Sequence, residues 1–251
     1  AVIPVYNEEG SIAQVVAALR AASSQHAELA EIIVVDNASA DASATKALEA
    51  GARVVEELER GYGAACLRGL SEIPDDADFV LFVDGDGSDF PQEWPTLIAA
   101  LEDNSWDLVV GSRTLRQSAR AVLLPHVRFG NWLATRLLAL IYGYQFSDLG
   151  PFRAMRWDKL SMLGMRDRDF GWTIEMQVKA LRYGLRCGEL PVSYRKRTHG
   201  NSKVGGTLKG TVLAGYKILG WVLVEAVLRR GLHLSQFSGR GAQKRQSEAE
   251  H

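Results

Sequence analysis

Phe79-Val80-Leu81-Phe82-Val83-Asp84-Gly85-Asp86-Gly87-Ser88-Asp89 is the stretch on which the fold assignment turns. Five apolar, mostly β-favouring residues lead straight into three carboxylates separated by small residues. An apolar run without polar alternation is the pattern of a strand buried on both faces, as in the middle of a parallel sheet. Carboxylates at its C-terminal end stand where open α/β sheets bind ligands. Asp84 and Asp86, two residues apart in a turn, can face a single point. As hard oxygen donors they suit Mg²⁺ or Mn²⁺, with phosphate oxygens and water filling the other positions. Gly85 and Gly87 free the backbone to turn and let a bulky ligand come close. The plainer alternative is an acidic turn behind a core strand, since Asp-x-Asp is a short pattern.

Working outward toward the N-terminus, Ala1–Val5 reads as a first strand closed by Tyr6-Asn7-Glu8-Glu9-Gly10. A helix follows with Ile12, Val15, Val16 and Leu19 on one face. Glu31–Asp36 reads as a second buried strand, ending in the cap-rich turn Asn37–Asp41 and a small helix up to Gly51. Ala52–Val55 is a third, short strand, and Gly61-Tyr62-Gly63 opens a helix to about Ser71. On the other side of the central strand, a helix from about Gln92 to Leu101 leads to a fifth strand, Asp107–Gly111. Strands and helices alternating at this spacing predict a parallel sheet with right-handed crossovers. Further on, Phe129–Tyr142 reads as a helix carrying Leu133, Leu137, Leu138 and Ile141. Ser147–Met155 reads as a loop, Thr173–Tyr183 as a helix and Leu185–Tyr194 as a strand. Arg195–Gly206 is a basic, glycine-containing loop. Thr207–Leu228 reads as a long apolar helix, and Ser235–His251 as a polar tail expected to be disordered.

At 251 residues, 47% hydrophobic and 24% charged, the chain has the makings of a globular α/β domain with a sizeable core. Its net charge of −1 gives no global argument for a nucleic-acid partner. Cys66 and Cys187 have no metal-ligand spacing and read as small core residues of a reduced, cytoplasmic protein. There is no signal-like segment. The chain opens on a strand without an initiator Met, so a short N-terminal piece is expected to precede it.

In this architecture the strand ends at Val5, Asp36 and Asp84 line up along one sheet edge. Asp36 could accept hydrogen bonds from a nucleobase or ribose beside Tyr6 or Glu8, or it could simply cap the next helix. Gly61-Tyr62-Gly63 resembles part of a dinucleotide fingerprint, but its third position is Cys66 and it follows the third strand, which argues against a nicotinamide enzyme. Gly63 stays with the donor-site candidates. Arg113 after the fifth strand, Arg128 at the start of the following helix, and Arg195, Lys196, Arg197 and Lys203 in one loop could offset phosphate charge. Asp169 and Glu175 flank Gly171-Trp172 at a helix start. Either could be a general base, a ligand beside the metal or an N-terminal helix acid. Trp172 could be core or a platform for an acceptor. Lys209, Lys217 and Glu225 interrupt Thr207–Leu228, which therefore suits an interfacial or core-packed helix better than a membrane span.

Val2-Ile3-Pro4-Val5-Tyr6-Asn7-Glu8-Glu9, Val34-Val35-Asp36-Asn37-Ala38-Ser39-Ala40-Asp41 and Phe82-Val83-Asp84-Gly85-Asp86 together resemble family 2 glycosyltransferases of GT-A fold. Gly111-Ser112-Arg113, Gly150-Pro151-Phe152-Arg153, Gly171-Trp172-Thr173-Ile174-Glu175-Met176 and Arg197–Lys203 resemble the dolichyl- and polyprenyl-phosphate mannosyl- and glucosyltransferases. The likeness runs over about residues 1–220. It implies a GT-A domain over 1–206, with a nucleotide-sugar half (1–111) and an acceptor half (112–206), then an apolar helix (207–234) and the tail. It implies inverting transfer of a hexose from a UDP- or GDP-sugar to a polyprenyl phosphate, with Mg²⁺ or Mn²⁺ on Asp84 and Asp86. The base and ribose go to Pro4, Tyr6, Glu8 and Asp36, the acceptor phosphate to Arg113 and Arg128, and the donor diphosphate to Arg197 and Lys203. The protein would lie peripherally on the inner face of the membrane, and an oligomer is possible. Two departures stand out: Asn37 where the family often has a second acid, and Ser88-Asp89 where a Gln often follows the metal motif. The rival activity is a soluble family 2 enzyme acting on a hydroxyl, which would need a general base.

Overall fold

The structure, a computed structural model, describes residues 1–23, 29–103, 105–197 and 220. Lys203, most of the basic loop, the apolar segment Thr207–Leu228 apart from Gly220, and the polar tail lie outside the described residues.

The first half follows the predicted alternation: β1 (Val2–Val5), α1 (Ile12–Ala21), β2 (Ile33–Asp36), α2 (Ser43–Glu49), β3 (Arg53–Glu56), α3 (Tyr62–Leu70) and β4 (Phe79–Phe82). A 3₁₀ turn at Pro91–Glu93 leads into α4 (Trp94–Glu102). The second half holds β5 (Leu108–Ser112), α5 (Gln117–Val122), α6 (Pro125–Tyr142), β6 (Arg153–Arg156), α7 (Trp157–Leu163), α8 (Trp172–Arg182) and β7 (Cys187–Pro191). The seven strands form one sheet in the order β3-β2-β1-β4-β6-β5-β7.

Successive strand residues point to opposite faces, and both faces are covered. Val2, Ile33, Val35, Phe82, Leu108 and Val110 pack with residues of α3, α6, α7 and α8. Ile3, Val5, Val34, Leu81, Val83 and Val109 pack with α1 and α4 on the other face. Double coverage explains why these strands read as continuous apolar runs. Cys66 and Cys187 are buried free thiols, as expected of core residues.

Ser147–Met155, expected to be a loop, runs into β6 and holds all but its last residue. It runs antiparallel to both β4 and β5, pairing Leu81 with Ala154 and Val109 with Ala154. The sheet is thus mostly parallel but mixed. Gly150-Pro151 and the arginines at both ends of the strand hide it, because a buried Arg153 breaks the apolar pattern. The short helices α5 and α7 were likewise not anticipated.

The register opens the sheet at one place. β1 pairs with β2 along its whole length, Val2↔Ile33 through Val5↔Asp36. With β4 it pairs only at Val2↔Phe82. Pro4 can therefore occupy a central strand, since past Val2 no neighbour on the β4 side requires its missing N–H. Strand order also reverses direction between β1 and β4, and crevices at such switch points bind ligands in open α/β sheets.

Candidate active site

A cavity of about 360 Å³ sits in this crevice, at the low end of ligand-pocket volumes. Pro4, Tyr6 and Glu8 come to it from the end of β1, Asp84 and Asp86 from the end of β4, and Arg197 from across the mouth. Asn37, Arg60, Tyr62, Asp169 and Phe170 complete much of the lining. Short side-chain bonds hold the loop after β1: the Asn7 N–H donates to Ser39 Oγ at 2.9 Å, the Glu8 N–H to Ser43 Oγ at 2.7 Å. Ser11 Oγ donates to the Gly85 carbonyl at 2.8 Å, tying this loop to the carboxylate turn.

The carboxylate turn is charged beyond what its own surroundings offset. The Tyr62 hydroxyl donates to Asp84 Oδ1 at 3.0 Å. Burial, then the charge of Asp86, pushes the Asp84 carboxyl up to about 7. Asp86 accepts from the Ser88 N–H at 2.8 Å and from Ser88 Oγ at 2.5 Å. Its other oxygen lies 2.8 Å from Arg197 Nε, and Arg197 Nη1 donates to Glu8 Oε1 at 2.9 Å. Arg197 thus bridges the first strand's loop and the fourth strand's turn. Asp89 is buried beside them with neither oxygen hydrogen-bonded, and burial together with Asp84 and Asp86 pushes its carboxyl well above the usual range.

This donor set fits a hard divalent cation. Asp84 and Asp86 are close enough to perturb each other, and a positive charge between them would relieve the repulsion that burial amplifies. Among the described residues no three acidic, histidine or cysteine side chains are grouped to complete a metal site. The remaining positions would fall to phosphate oxygens and water.

On the opposite wall the Arg60 guanidinium lies 3.9 Å from the centre of the Tyr6 ring. Asn37 fixes the loop that carries it: Nδ2 donates to the carbonyls of Glu57 at 2.9 Å and Glu59 at 2.7 Å, and Oδ1 accepts the Gly61 N–H at 2.8 Å. The residue that replaces the family's second acid is thus committed to holding a loop. Asp36 is buried and does not line the cavity. Its Oδ2 accepts the Ser39 N–H at 3.4 Å, while Oδ1 is buried with no hydrogen-bond partner.

Gly63 stands apart from the cavity. A Cβ on Gly63 would overlap the Asp167 carbonyl, and one on Gly61 the Arg168 carbonyl, so these glycines let α3 meet segment 167–168 at backbone distance. The Ala64 N–H donates to the Arg168 carbonyl at 2.8 Å across this junction. Glu175 secures the same segment. It is fully buried, accepts the N–H groups of Arg166 at 2.9 Å and Asp167 at 2.7 Å, and lies 2.7 Å from Lys179 Nζ. So placed, it does not line the cavity; it anchors the turn that presents Asp169 and Phe170 there. Trp172 is core, 1% exposed and edge-on to Phe82 with ring centres 5.8 Å apart, and offers no platform to an acceptor.

Neither of the two arginines expected at the acceptor phosphate, Arg113 and Arg128, lines the cavity, and their settings differ. Arg113 binds Asp148 in a fork, Nε to Oδ2 and Nη2 to Oδ1 both at 2.8 Å, and the Arg113 N–H also donates to Oδ2 at 2.8 Å. Burial works against its charge, but the Asp148 carboxylate more than restores it and raises the guanidinium's affinity for its proton. Its carbon centre lies 5.1 Å from the Tyr194 ring. Arg128 is exposed on α6 and does not line the cavity. Sequence reasoning missed Arg60, Tyr62, Phe170 and Asp148. Of these only Tyr62, inside the Gly-x-Gly turn, carried a visible signal.

Comparison with known proteins places the chain. The glycosyl transferase family 2 model matches residues 1–162. An uncharacterized glycosyltransferase of Mycobacterium tuberculosis is 37% identical over 214 residues, covering 85% of this chain and 92% of that protein. An undecaprenyl-phosphate mannosyltransferase of Micrococcus luteus is 28% identical over 221 residues, covering 83% and 88%. Glucosyl-3-phosphoglycerate synthase from Mycobacterium tuberculosis, solved with Mn²⁺, UDP and phosphoglyceric acid, superposes with a TM-score of 0.71 at 22% identity, covering 90% of this chain and 77% of that one. At that identity the likeness is one of fold, the GT-A-like α/β architecture expected from the sequence. The chain belongs to glycosyl transferase family 2.

Proposed function

We propose that this protein transfers a hexose from a nucleoside diphosphate sugar, UDP- or GDP-linked, to a polyprenyl-phosphate carrier. The observation that carries this is the Asp84/Asp86 pair, with Arg197 in contact with Asp86, lining one cavity at the sheet's switch point. Pro4 and Tyr6 would bind the nucleoside beside Arg60, and Arg197 would exchange Asp86 and Glu8 for the donor diphosphate. Asp84 and Asp86 would hold a divalent cation, whose chemistry would be to offset the negative charge that develops on the departing nucleotide. Support for the nucleotide-sugar donor also comes from the UDP-bound synthase of the same fold.

The acceptor reading rests on one chemical fact and two observations. A phosphate monoester is largely a dianion at neutral pH and needs no base to become a nucleophile. Glu175, one of two candidate bases, is locked in a backbone clamp. Arg113, held rigid by Asp148, is a fixed cation that would orient an acceptor phosphate. The similar mannosyltransferase is named for undecaprenyl phosphate. A hydroxyl acceptor stays as the second reading because Asp169 does line the cavity and could serve as its base.

The test offers UDP- and GDP-hexoses with Mg²⁺ or Mn²⁺ to the protein, with undecaprenyl phosphate or undecaprenol as acceptor, and identifies products by mass spectrometry. A sugar-phosphate-lipid product, retained in Asp169→Asn, is expected. Transfer to the alcohol alone, lost in Asp169→Asn, would establish the second reading.

A further inference from the structure

α6 packs Leu138 into the core with Leu137 and Ile141 against it, yet carries three further large apolar side chains where a surface helix is ordinarily polar. At 100° per residue, Asn131, Ala134, Thr135 and Leu138 form its buried face. The opposite face presents Phe129, Trp132 and Leu140, which are 61%, 52% and 82% exposed. Phe129 and Trp132 lie side by side, their ring centres 5.9 Å apart. Leu115 and Leu124, at either end of α5, are also exposed.

The same surface is cationic. Arg128 and Arg136 lie on the exposed face of α6, and Arg120 is exposed on α5. None of the three forms an ion pair among the described residues. Between Asp107 and Asp148 the sequence holds five arginines and not one carboxylate; Arg113 and Arg116 pair with Asp148 and Glu93, which leaves the other three to this surface. Aromatic and aliphatic side chains among unpaired arginines, with no acid to repel a headgroup, are the makings of a helix that lies in a membrane interface.

We propose that the exposed face of α5 and α6 docks this protein on an anionic lipid bilayer. Charge decides the occupant. A second copy related by a two-fold axis would bring this acid-free face against itself, arginine to arginine. The chain's own apolar segment, Thr207–Leu228, carries Lys209 and Lys217 against a single Glu225, so it is a poor complement as well. Anionic phospholipid complements both the cations and the apolar side chains. The position also suits the lipid-carrier function, on which the inference rests for its purpose though not for its observations. Asn131, on the buried face of α6, donates to the Ser147 carbonyl at 3.0 Å and accepts the Leu149 N–H at 2.8 Å. It thereby fixes the loop whose Asp148 grips Arg113, so the bilayer would lie one helix away from the acceptor-side arginine.

The test is flotation of the full chain with vesicles of phosphatidylcholine containing phosphatidylglycerol, without donor or polyprenyl phosphate. Wild type is expected to float with the anionic vesicles and to be released by salt. Arg120→Gln with Arg136→Gln should weaken binding by about fivefold for each arginine removed. The triple variant Phe129→Ser, Trp132→Ser, Leu140→Ser should lose it, with unchanged melting and nucleotide binding because the side chains are exposed. Equal binding by wild type and both variants, or equal binding to pure phosphatidylcholine, would overturn the docking surface. So would a wild-type dimer that the triple variant dissociates, since the face would then belong to a second copy. A short, water-soluble prenyl phosphate separates the two questions. If the triple variant loses vesicles but still uses that acceptor as wild type does, docking and lipid-carrier function both stand. If vesicle binding behaves as expected and neither protein uses it, the docking surface stands and the acceptor assignment fails.

Discussion

The two halves of the sheet are held by different chemistry. In the first, β1 to β4 and their helices bury apolar side chains, and the ion pairs made within this half stay at the rim, the buried Glu8 and Asp86 taking their partner, Arg197, from beyond it. Lys46 and Glu9 meet at 3.9 Å with both side chains more than two fifths exposed. In the second, ions are inside: the Arg113–Asp148 fork, Glu175 with Lys179, and an Arg153 that is fully buried and donates to the carbonyls of Gly150 and Thr173. Apolar packing is tolerant of orientation, and it suffices to bring strand ends to one edge and present carboxylates there. Buried charge pairs demand geometry, and this half uses them to fix the direction of Arg113 and of the turn that bears Asp169. That specificity is costly if broken, because a buried ion left alone is far worse than none.

The sharpest way to break this contrast is to remove one ion from each half. Asp148→Ala should cost about 3–5 kcal/mol in chemical denaturation, since it strands Arg113. Glu9→Ala should cost at most about 1 kcal/mol. Equal losses would mean that the burial of the second half's ions has no energetic meaning. The seam between the halves comes next. Gly63→Ala forces a methyl into the Asp167 carbonyl and should destabilise by about 1–3 kcal/mol. Gly130→Ala, inside α6 with nothing within 4 Å of the new Cβ, should stabilise by up to about 1 kcal/mol. Glu175→Gln then separates anchoring from catalysis. An anchor loses about 1–3 kcal/mol of stability with turnover falling in step, whereas a general base loses about 10²–10⁴-fold in turnover at unchanged melting.

The smallest effect is one of pH. Arg186 beside Asp107, bonded at 2.8 Å, holds that carboxyl below its ordinary value. A depressed folded-state pKa stabilises above the unfolded value of about 3.9 and is lost as pH falls through the lower folded value. Wild type and Asp107→Asn should therefore differ in melting temperature at pH 6 and converge in acid. A gap that persists in acid strong enough to protonate the folded carboxyl as well would point to packing instead.

The same contrast explains what the sequence made legible. The runs Ile33-Val34-Val35 and Val80-Leu81-Phe82-Val83 announce strands because both faces of the sheet are apolar there. β6 stayed hidden because Arg153 and Arg156 replace the residues such a run needs, and their compensation comes from carbonyls distant in sequence. Asp84, Asp86, Tyr6, Glu8 and Arg197 could be placed from strand ends and motifs, and the fold brings them to one cavity. Glu175, Trp172 and Gly63 could not, because whether an acid, a ring or a glycine faces a cavity or a neighbouring backbone depends on a contact across the halves. Asp148 gave no local signal, since its partner lies 35 residues away.

Metal-dependent grip on the donor diphosphate is best tested by calorimetric titration of UDP, GDP and the corresponding nucleosides, with and without Mn²⁺, into wild type and Asp86→Asn. At least one nucleotide should bind roughly tenfold or more tighter with the metal, in keeping with upward of ~1.5 kcal/mol for a charged contact. Asp86→Asn should abolish that gain and leave the nucleoside unaffected. Nucleotide binding that is indifferent to the metal and identical in the two proteins would contradict the role given to Asp84 and Asp86.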